Sequence, residues 1–495
     1  MTELYDILVV GGGINGAGIA CDAAGRGLRV ALCEQADLAQ ATSSSSSKMI
    51  HGGLRYLEYY EFGLVRKALQ EREVMMAKAP HIIRPLRLYL PHMNSVRPAW
   101  MVRIGLFLYD HLARQKKLPK SQGINFRRHP AGQPLRQEFK AGFAYSDCWV
   151  DDSRLVVLNA LSAARNGAAV MTRTRLIGAR RVDGTWHAEL RDEGTGRAIE
   201  CRARILVNAA GPWVQPVLEA ALDTPPRNQM RLVKGSHLVV PRLVDDDHGY
   251  LLQLDDRRVI FVLPFEGAFS LIGTTDITYD GDPADIRAED DEIRYLCDAV
   301  NRYFSKQITP ADVVWSFAGV RPLVEDEAAD PAAVTRDYHL DLDANDSAPL
   351  LSVFGGKITT YRVLAEEAMA MLKPHLPQMG RDWTASAALP GGDMEGGDLA
   401  AHIVGLTESY PQIDPALITG IAGRHGALSR TIIGDAKAGA DLGQQFGGGL
   451  TEREVCYLRE NEWAATSHDI LWRRTKAGLF TDDTDRARLD AYLAA

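Results

Sequence analysis

This chain of 495 residues lacks several marks of secreted, membrane-spanning and nucleic-acid-binding proteins. No stretch reaches about 18 uninterrupted apolar residues, so we expect no membrane-spanning segment. The first apolar strand begins within a few residues of Met1, so we expect no signal peptide. The six cysteines are scattered without a CxxC pair, which favours reduced thiols in the cytoplasm and no structural metal site. A net charge of -8 argues against general nucleic-acid binding, although it allows local basic patches.

Size and composition indicate a large globular protein with more than one core. Hydrophobic residues make up 46% of the chain and charged residues 24%, which is enough apolar material for an extensive interior. Because single cores stop growing well below this length, we expect two or three domains.

A glycine-rich turn near the start has the pattern of a dinucleotide site. An apolar run over residues 6–10, typical of a buried parallel strand, leads into Gly11-Gly12-Gly13-Ile14-Asn15-Gly16 and a helix of small residues. Gly11 allows a tight turn, Gly13 lets backbone N–H groups approach a pyrophosphate, and Gly16 lets helix and strand pack closely. The positive end of the helix would face the diphosphate.

An acidic residue completes this pattern. The next strand, residues 30–33, ends at Glu34. Its carboxylate can accept hydrogen bonds from ribose hydroxyls and would repel a 2′-phosphate. Strand, glycines, helix, second strand and acid in this order predict a bound dinucleotide.

A hydroxyl-rich run at residues 41–57 interrupts the strand-helix alternation of residues 4–85. By composition, the part from Thr42 to Ser47 would pass for a flexible linker. Because the run leads directly into apolar and charged residues, we favour a second set of contacts to a phosphate or ring system.

Two later segments are also strands that end in small-residue turns. Residues 200–215 form a short buried strand followed by such a turn, and residues 352–357 run into a pair of glycines. A long helix is predicted from about Thr359 to Leu372.

The rest of the chain predicts further domains. Residues 231–241 and 257–275 carry Val, Ile and Phe in strand-like patterns with turns between them, which indicates an antiparallel sheet. After glycine-rich loops at 390–397, the remainder is mostly helical. The predicted fold class is therefore mixed α/β (α+β), with a Rossmann-like nucleotide-binding domain, an antiparallel-sheet domain and a helical C-terminal domain.

Short motifs occur in a fixed order along nearly the whole chain. They lie at residues 11–18, 46–57, 145–152, 234–237, 273–276, 319–323, 354–357 and 471–475. Together they resemble one family, the FAD-dependent, membrane-associated glycerol-3-phosphate dehydrogenases, whose wider group is similar to D-amino-acid oxidase. The resemblance, rather than the spacing, implies FAD instead of NAD and glycerol 3-phosphate instead of another alcohol.

The resemblance also assigns domains. We expect the FAD-binding domain in residues 1–90, 151–215 and 341–388, the substrate domain in residues 216–340, and a helical C-terminal domain in residues 389–495. Residues 91–150 would belong to the substrate domain or form a membrane-docking segment.

The implied reaction oxidises glycerol 3-phosphate to dihydroxyacetone phosphate by hydride transfer to FAD and passes electrons to a membrane quinone. The protein must supply an acceptor for the hydroxyl proton, a clamp for the phosphate and a positive environment for the flavin. Arg55 and Arg321 are candidates for the clamp, because guanidinium groups match phosphate oxygens with paired bonds. A single arginine is more often a surface ion pair, but both of these lie in family-like motifs.

His51 and His237 compete for the role of base. An imidazole can take a proton at neutral pH, and one close to two arginines should be neutral and ready to accept. The alternative for each is an ordinary core or turn histidine. Both lie in turns flanked by glycine, and we rank His51 first.

Three further side chains could contact the substrate. Lys357 could hold a substrate oxygen or the pyrimidine edge of the flavin, although it could equally be a solvated lysine. Tyr56 and Thr275 could donate hydroxyl hydrogen bonds. Arg321 and Lys357 could also assist catalysis with their positive charge.

The resemblance implies a larger set of cofactor contacts. The glycine turn and Glu34 would hold the diphosphate and ribose, and the hydroxyl run the pyrophosphate and ring. The small-residue turn at 210–213 would meet the cofactor with its backbone, the glycine pair at 355–356 would face the pyrimidine side of the flavin, and Leu176 would lie near the adenine by analogy. The set is Gly11, Gly13, Ile14, Asn15, Gly16, Glu34, Thr42, Ser43, Ser47, Lys48, Leu176, Ala210, Gly211, Trp213, Gly355, Gly356, Lys357 and Thr359.

Residues 97–128 combine positive charge with apolar side chains around a single acid, Asp110. Such a helix is too short to span a bilayer, but it could lie in the interface with its cations on anionic lipid. A helix packed under the substrate domain is the alternative, and residues 359–372 are a second candidate for docking. The cations are Arg97, Arg103, Arg114, Lys116, Lys117, Lys120, Arg127 and Arg128.

The predicted partners are thus glycerol 3-phosphate, a membrane quinone, the cytoplasmic face of the inner membrane and possibly a second copy of the chain. Two other functions stay open: an oxidase that passes electrons to oxygen, and a flavin-bound sensor without turnover. Oxidase relatives carry a long late insertion that is missing here. An amino-acid oxidase is less favoured, because two arginines and a lysine suit a dianion better than a carboxylate.

Overall fold

The computed structural model describes residues 3–92, 98–113, 117–255, 258–324, 337–344 and 347–495. Its strands are β1 (Leu4–Val10), β2 (Val30–Cys33), β3 (Met49–Ile50), β4 (Ile83–Pro91), β5 (Gln122–Asn125), β6 (Ala141–Val150), β7 (Ala169–Met171), β8 (Thr174–Val182), β9 (Thr185–Asp192), β10 (Ala198–Asn208), β11 (Met230–Pro241), β12 (Gly249–Gln253), β13 (Val259–Phe265), β14 (Phe269–Gly273), β15 (Ile277–Thr278), β16 (Trp315–Val324), β17 (His339–Asp343) and β18 (Leu350–Phe354). Its α-helices are α1 (Ile14–Gly25), α2 (Phe62–Lys78), α3 (Ala99–His111), α4 (Asp152–Arg165), α5 (Val214–Pro216), α6 (Asp290–Asn301), α7 (Tyr361–Leu372), α8 (Leu399–Ser409), α9 (Pro415–His425), α10 (Ser429–Ile433), α11 (Glu452–Glu462) and α12 (Asp483–Ala494).

The first sheet has a parallel centre, in the order β18-β10-β1-β2-β7. β1 is the middle strand, and its Val9 lies beside Leu32 on one side and Val207 on the other. β17 and the β8–β9 hairpin add antiparallel strands. A parallel sheet buried on both faces requires continuous apolar strands, which is the pattern seen in β1.

Helices α4 and α7 pack against α1 on this sheet. The small residues of α1 allow this close contact: a Cβ at Gly18 would lie 2.6 Å from the ring of Tyr361. α4 begins with Asp151 as its N-cap, whose carboxylate accepts from the backbone of Arg154 at 3.2 Å. The helix predicted from Thr359 begins two residues later, at Tyr361.

The second sheet is mainly antiparallel and runs in the order β15-β11-β14-β13-β12-β4-β6-β3, with β16 on β11 and β5 on β6. α6 packs against it over a separate apolar core. Helices α8 to α12 enclose a third core around residues such as Ile418 and Leu458. The predicted fold class is confirmed, whereas the residue boundaries given for the domains stay predictions.

His81 is a buried histidine where the first sheet's helices meet the C-terminal helices. It is 4% exposed, and neither ring nitrogen has a hydrogen-bond partner within the described ranges. The backbone of Gly426 leaves no room beside its ring, since a Cβ there would lie 2.9 Å from His81 Cγ. Burial and the nearby positive charge of Arg154 lower the pKa of His81 to about 3.

We predict that this histidine makes stability depend on pH. The pKa of His81 is lower in the folded chain than in the unfolded chain, so proton binding favours the unfolded state. The free energy of unfolding is therefore highest above about pH 6.5 and falls as the pH drops. At about pH 5 the loss is on the order of 2 kcal/mol. His81→Leu should therefore resist acid better than the wild type, as thermal melting at about pH 7.5 and pH 5 would show. The exposed His375→Leu is the control; identical pH dependence in wild type and His81→Leu would contradict the prediction.

Candidate active site

One cavity of about 430 Å³ is lined by residues of both sheets. The first sheet contributes the carboxyl ends of β1, β2 and β18, where ligands of parallel sheets are usually bound. The second sheet contributes residues of β11, β13 and β16. The cavity therefore joins the predicted cofactor turn to the predicted substrate strands.

Most predicted site residues lie on the wall of this cavity, which brings them together, while their individual roles stay predictions. They are Gly11, Gly13, Ile14, Asn15, Glu34, Thr42, Ser43, Ser47, His51, Arg55, Tyr56, Leu176, Ala210, Gly211, Trp213, His237, Arg321, Gly355, Gly356, Lys357 and Thr359.

The glycine turn is shaped by its lack of side chains. Gly11 has a φ of +109°, and a Cβ there would lie 2.5 Å from the carbonyl oxygen of Ala209. A Cβ at Gly16 would lie 1.9 Å from the oxygen of Gly11, so Gly16 permits packing and lies behind the wall. The backbone N–H of Ile14 donates to Ser43 Oγ at 3.0 Å, which ties the hydroxyl run to the turn.

Glu34 braces the same turn. Its Oε2 accepts from the backbone N–H of Gly12 at 2.6 Å, and its Oε1 accepts from Ala36 at 2.8 Å. Each carboxylate oxygen has two lone pairs, so the side chain can still accept hydrogen bonds from ribose hydroxyls at the wall.

These residues fit a dinucleotide such as FAD. Asn15 donates from Nδ2 to the carbonyl of Gly355 at 3.0 Å, which joins the glycine turn to the turn after β18. Asn15 Oδ1 is buried and has no hydrogen-bond partner in the described part of the chain, so it can accept from a ligand. The glycine turn, Glu34 and the hydroxyl run would hold FAD.

The turn that carries His51, Arg55 and Tyr56 is anchored from behind. Gly52 donates its backbone N–H to Tyr109 OH at 2.7 Å, and Tyr109 donates to Asp147 Oδ1 at 2.7 Å. Arg72 also donates to Asp147, at 2.7 Å. Neither Tyr109 nor Arg72 was predicted as a site residue, because a tyrosine within an apolar helix is not distinguished from its apolar neighbours by sequence pattern. Arg55 Nε is buried without a hydrogen-bond partner among the described residues.

Arg321 is oriented by the turn after β14. It donates to the carboxylate of Asp276, to Thr274 Oγ1 at 3.2 Å and to the carbonyl of Thr275 at 3.0 Å. Thr274 and Asp276 line the cavity. Both stand in the motif at residues 273–276, but neither was predicted as a site residue.

The position of Thr275 differs from our prediction. Its side chain is buried, donates to Glu292 at 2.8 Å and accepts from the backbone of Ser236 at 3.0 Å. It does not line the cavity. Its hydroxyl therefore connects the turn to α6 instead of donating to a substrate.

The position of Lys48 also differs from our prediction. We predicted that it lines the pyrophosphate and ring, but its side chain is buried off the wall with Nζ 2.8 Å from Asp152. Burial lowers the pKa of Lys48, while Asp152 opposes that shift. This lysine positions the hydroxyl run from behind.

His237 is held in a neutral form. Its Nε2 lies 2.9 Å from Ser47 Oγ, and its ring stacks on Phe317 with centroids 4.9 Å apart. Burial, together with the positive charges of Lys48 and Arg321, lowers the pKa of His237 well below its usual range. His237 Nδ1 has no hydrogen-bond partner within the described residues. Across the cavity, Lys357 Nζ lies 4.0 Å from the ring centroid of Tyr56.

We predict that Gly11→Ala prevents FAD retention. The added methyl group would meet Ala209 and force the turn away from the cofactor, and a misplacement of about 1 Å can cost roughly 100-fold in such a site. Gly27→Ala is a matched control, because Gly27 also has a positive φ of +82° but open space around it. It should cost about 1 kcal/mol of stability and keep FAD. Equal FAD content in the two purified variants would contradict the prediction.

Comparison with known proteins agrees with this site. A family profile described as FAD dependent oxidoreductase matches residues 6–362. Over 494 residues the chain is 53% identical to a glycerol-3-phosphate dehydrogenase of Pseudomonas aeruginosa, covering 100% of this chain and 96% of the relative. It is 52% identical to a D-erythritol 1-phosphate dehydrogenase of Brucella abortus, covering 98% and 97%.

A solved structure is similar over the whole fold. The X-ray structure of the glycerol-3-phosphate dehydrogenase from Bacillus halodurans complexed with FAD matches with a TM-score of 0.77 and 27% identity. The match covers 99% of this chain and 94% of that one. The family resemblance and the FAD cofactor predicted from the sequence are thereby confirmed, and the chain belongs to the FAD dependent oxidoreductase family.

Proposed function

We propose that this protein oxidises sn-glycerol 3-phosphate to dihydroxyacetone phosphate and passes the electrons to a membrane quinone. The observation that carries the proposal is the convergence of Arg55, Arg321 and Lys357 on the cavity that also contains the cofactor turn. The full-length relatives named glycerol-3-phosphate dehydrogenase support it.

Arg55 and Arg321 bind the phosphate group in this proposal. Forked guanidinium groups form paired, charge-assisted bonds with phosphate oxygens. Lys357 adds a positive charge beside Tyr56, whose hydroxyl supplies a further donor. With its phosphate fixed, the substrate would present its C2 to the cofactor end of the cavity, where FAD, when bound, would supply the hydride acceptor.

His51 accepts the proton of the C2 hydroxyl. A proton acceptor works best when its pKa lies near the operating pH, and the strongly lowered pKa makes His237 a poor base. His51 lies in the same turn as Arg55 and Tyr56, so its position follows that of the bound phosphate. Neutral His237 positions Ser47 at the wall through their hydrogen bond.

D-erythritol 1-phosphate is a second candidate substrate, favoured by the Brucella abortus relative. It also carries a phosphate group on a polyol chain, so the same clamp would bind it. Its longer chain requires more room beyond the reacting carbon.

We predict that glycerol 3-phosphate, added without oxygen, bleaches the FAD absorption of the holoprotein at least as fast as the enzyme turns over. D-erythritol 1-phosphate in place of glycerol 3-phosphate tests the second substrate, and faster bleaching with it would reassign the enzyme. A quinone dye should then restore the yellow colour faster than oxygen does. Peroxide release at the rate of turnover would instead indicate an oxidase, and absence of bleaching with either substrate would indicate a sensor.

We predict different defects for loss of the proposed base and for loss of a proposed phosphate-binding arginine. His51→Ala should slow bleaching about 10²- to 10⁴-fold with little change in substrate binding. Arg321→Ala should weaken binding about 10- to 100-fold and slow the step less, unless its charge also serves the transition state. Arg191→Ala, in an exposed pair with Glu193, is the control. A larger loss of rate in His237→Ala than in His51→Ala would move the base to His237.

The docking surface follows from the two faces of α3. Its inner side chains, Val102, Leu106 and Tyr109, are buried, whereas its outer face exposes apolar side chains. The outer residues and their exposed fractions are Trp100 (64%), Met101 (46%), Ile104 (52%) and Phe107 (53%). Tyr60, 79% exposed, adds an aromatic ring from the neighbouring segment.

We propose that this face lies on anionic lipid at the cytoplasmic face of the inner membrane. Exposed Arg103, Lys117 and Lys120 supply the positive charge that such a surface attracts. Arg97, Arg114 and Lys116, which we also predicted to contribute, lie outside the described residues. α7, the other candidate, packs on α1, and most of its apolar residues are buried. No helix in the described ranges is long and apolar enough to cross a bilayer.

We predict that Ile104→Glu with Phe107→Glu lowers binding to vesicles of anionic phospholipid about 100-fold, because two apolar side chains no longer enter the lipid. Reduction of a soluble quinone dye should be unchanged. The control is Val404→Glu with Val314→Glu, which changes apolar residues of similar exposure elsewhere. Equal cosedimentation of both double variants with vesicles would contradict this docking face.

A further inference from the structure

Two arginines of the C-terminal helical region converge on one carboxylate beside the cofactor site. Arg473 Nε lies 2.6 Å from Asp37 Oδ2, and Arg474 reaches both oxygens of Asp37 at 2.7 and 2.8 Å. All three side chains are buried, with Asp37 2% and Arg474 0% exposed. Arg474 also donates to the backbone carbonyl of Glu462 at 2.6 Å, which fixes it to the end of α11.

Asp37 lies in a segment that forms part of the cofactor wall. Its neighbours Glu34, Gln35, Ala36, Ala39 and Gln40 line the cavity, whereas Asp37 points away from it. The backbone N–H of Ala39 donates to the carbonyl of Gly12 at 3.1 Å, so the segment supports the glycine turn directly.

A second contact reaches the hydroxyl run. Lys476 Nζ lies 3.0 Å from Asp151 Oδ1 and 2.7 Å from Ser153 Oγ. The intervening Asp152 accepts from Ser46 Oγ at 2.7 Å and from Lys48 Nζ at 2.8 Å. The C-terminal region therefore supports two of the chain segments that line the cofactor end of the cavity.

We propose that the C-terminal helical region retains FAD, with Arg473, Arg474 and Lys476 acting as positioning residues for residues 34–48. A buried carboxylate cannot leave its cations without becoming an unpaired buried charge, so each segment stays where the ion pairs hold it. A site held in its binding conformation loses less entropy when the ligand binds and releases the ligand more slowly. Arg473, Arg474 and Lys476 do not line the cavity.

The proposal depends on FAD as the cofactor and is independent of the substrate. Its test is therefore the release of FAD from purified holoprotein, followed by the rise in flavin fluorescence after dilution. We expect Asp37→Asn and Arg474→Gln to release FAD about tenfold faster than the wild type, similar to losses seen when a supporting contact behind a metal site is removed. Lys476→Met should have a smaller effect, because it acts only on the second segment.

A matched control separates FAD retention from general stability. Arg424 pairs with Glu454 through two contacts of 2.7 Å inside the C-terminal region and away from residues 34–48. Arg424→Gln should lower the melting temperature as much as Arg474→Gln does, yet release FAD at the wild-type rate. All release rates are measured well below the melting temperature of each variant.

The result that would overturn the proposal is release of FAD from Asp37→Asn and Arg474→Gln no faster than from Arg424→Gln. If neither variant folds, Arg474→Lys replaces them, since it keeps the charge and loses the forked geometry. It should release FAD faster than both the wild type and Arg424→Gln. Release at the wild-type rate from Arg474→Lys would likewise overturn the proposal.

Discussion

The arrangement of the active site depends on the contact between the hydroxyl run and β16. Thr42 Oγ1 donates to the carbonyl of Val320 at 2.7 Å, and Gly319 leaves space for Ser45, whose Cβ would lie 2.6 Å from an added methyl group. The run also carries Ser43, which accepts from the glycine turn, and Ser47, which bonds to His237 on β11. Because this one segment touches both sheets, cofactor turn and substrate strands face the same cavity.

The sequence was sufficient for features whose parts are close in the chain. The turn at Gly11 and the acid at Glu34 belong to one short unit, in which strand, turn and helix follow from apolar runs and glycines. The contacts that hold the site in place join distant residues instead: Arg321 and Asp276 are 45 residues apart, Tyr109 and Gly52 are 57 apart, and Asp37 and Arg474 are 437 apart. No local pattern specifies such pairs. The same limit explains why Lys48 was assigned to the cavity wall.

Neighbouring hydroxyls show the limit at its smallest scale. Thr274 faces the cavity and Thr275 faces Glu292 of α6, although both stand in one motif. Between the end of β14 and the start of β15 the chain has no regular alternation, so the sequence does not determine which of the two points inward. The position of α6, which packs over the core of the second sheet, determines that Thr275 points toward Glu292.

Acidic partners also bear on the choice of substrate. Arg321 is already bound to Asp276, which cancels part of the positive charge that an incoming anion would meet. A monoanionic carboxylate substrate would therefore gain little from this guanidinium group. A phosphate dianion carries more charge and more acceptor oxygens, and in the proposed clamp it binds Arg55 as well. In the proposed function, the ion pair at Arg321 thus keeps the guanidinium group oriented and favours a dianion, which supports a phosphorylated polyol over an amino acid as substrate.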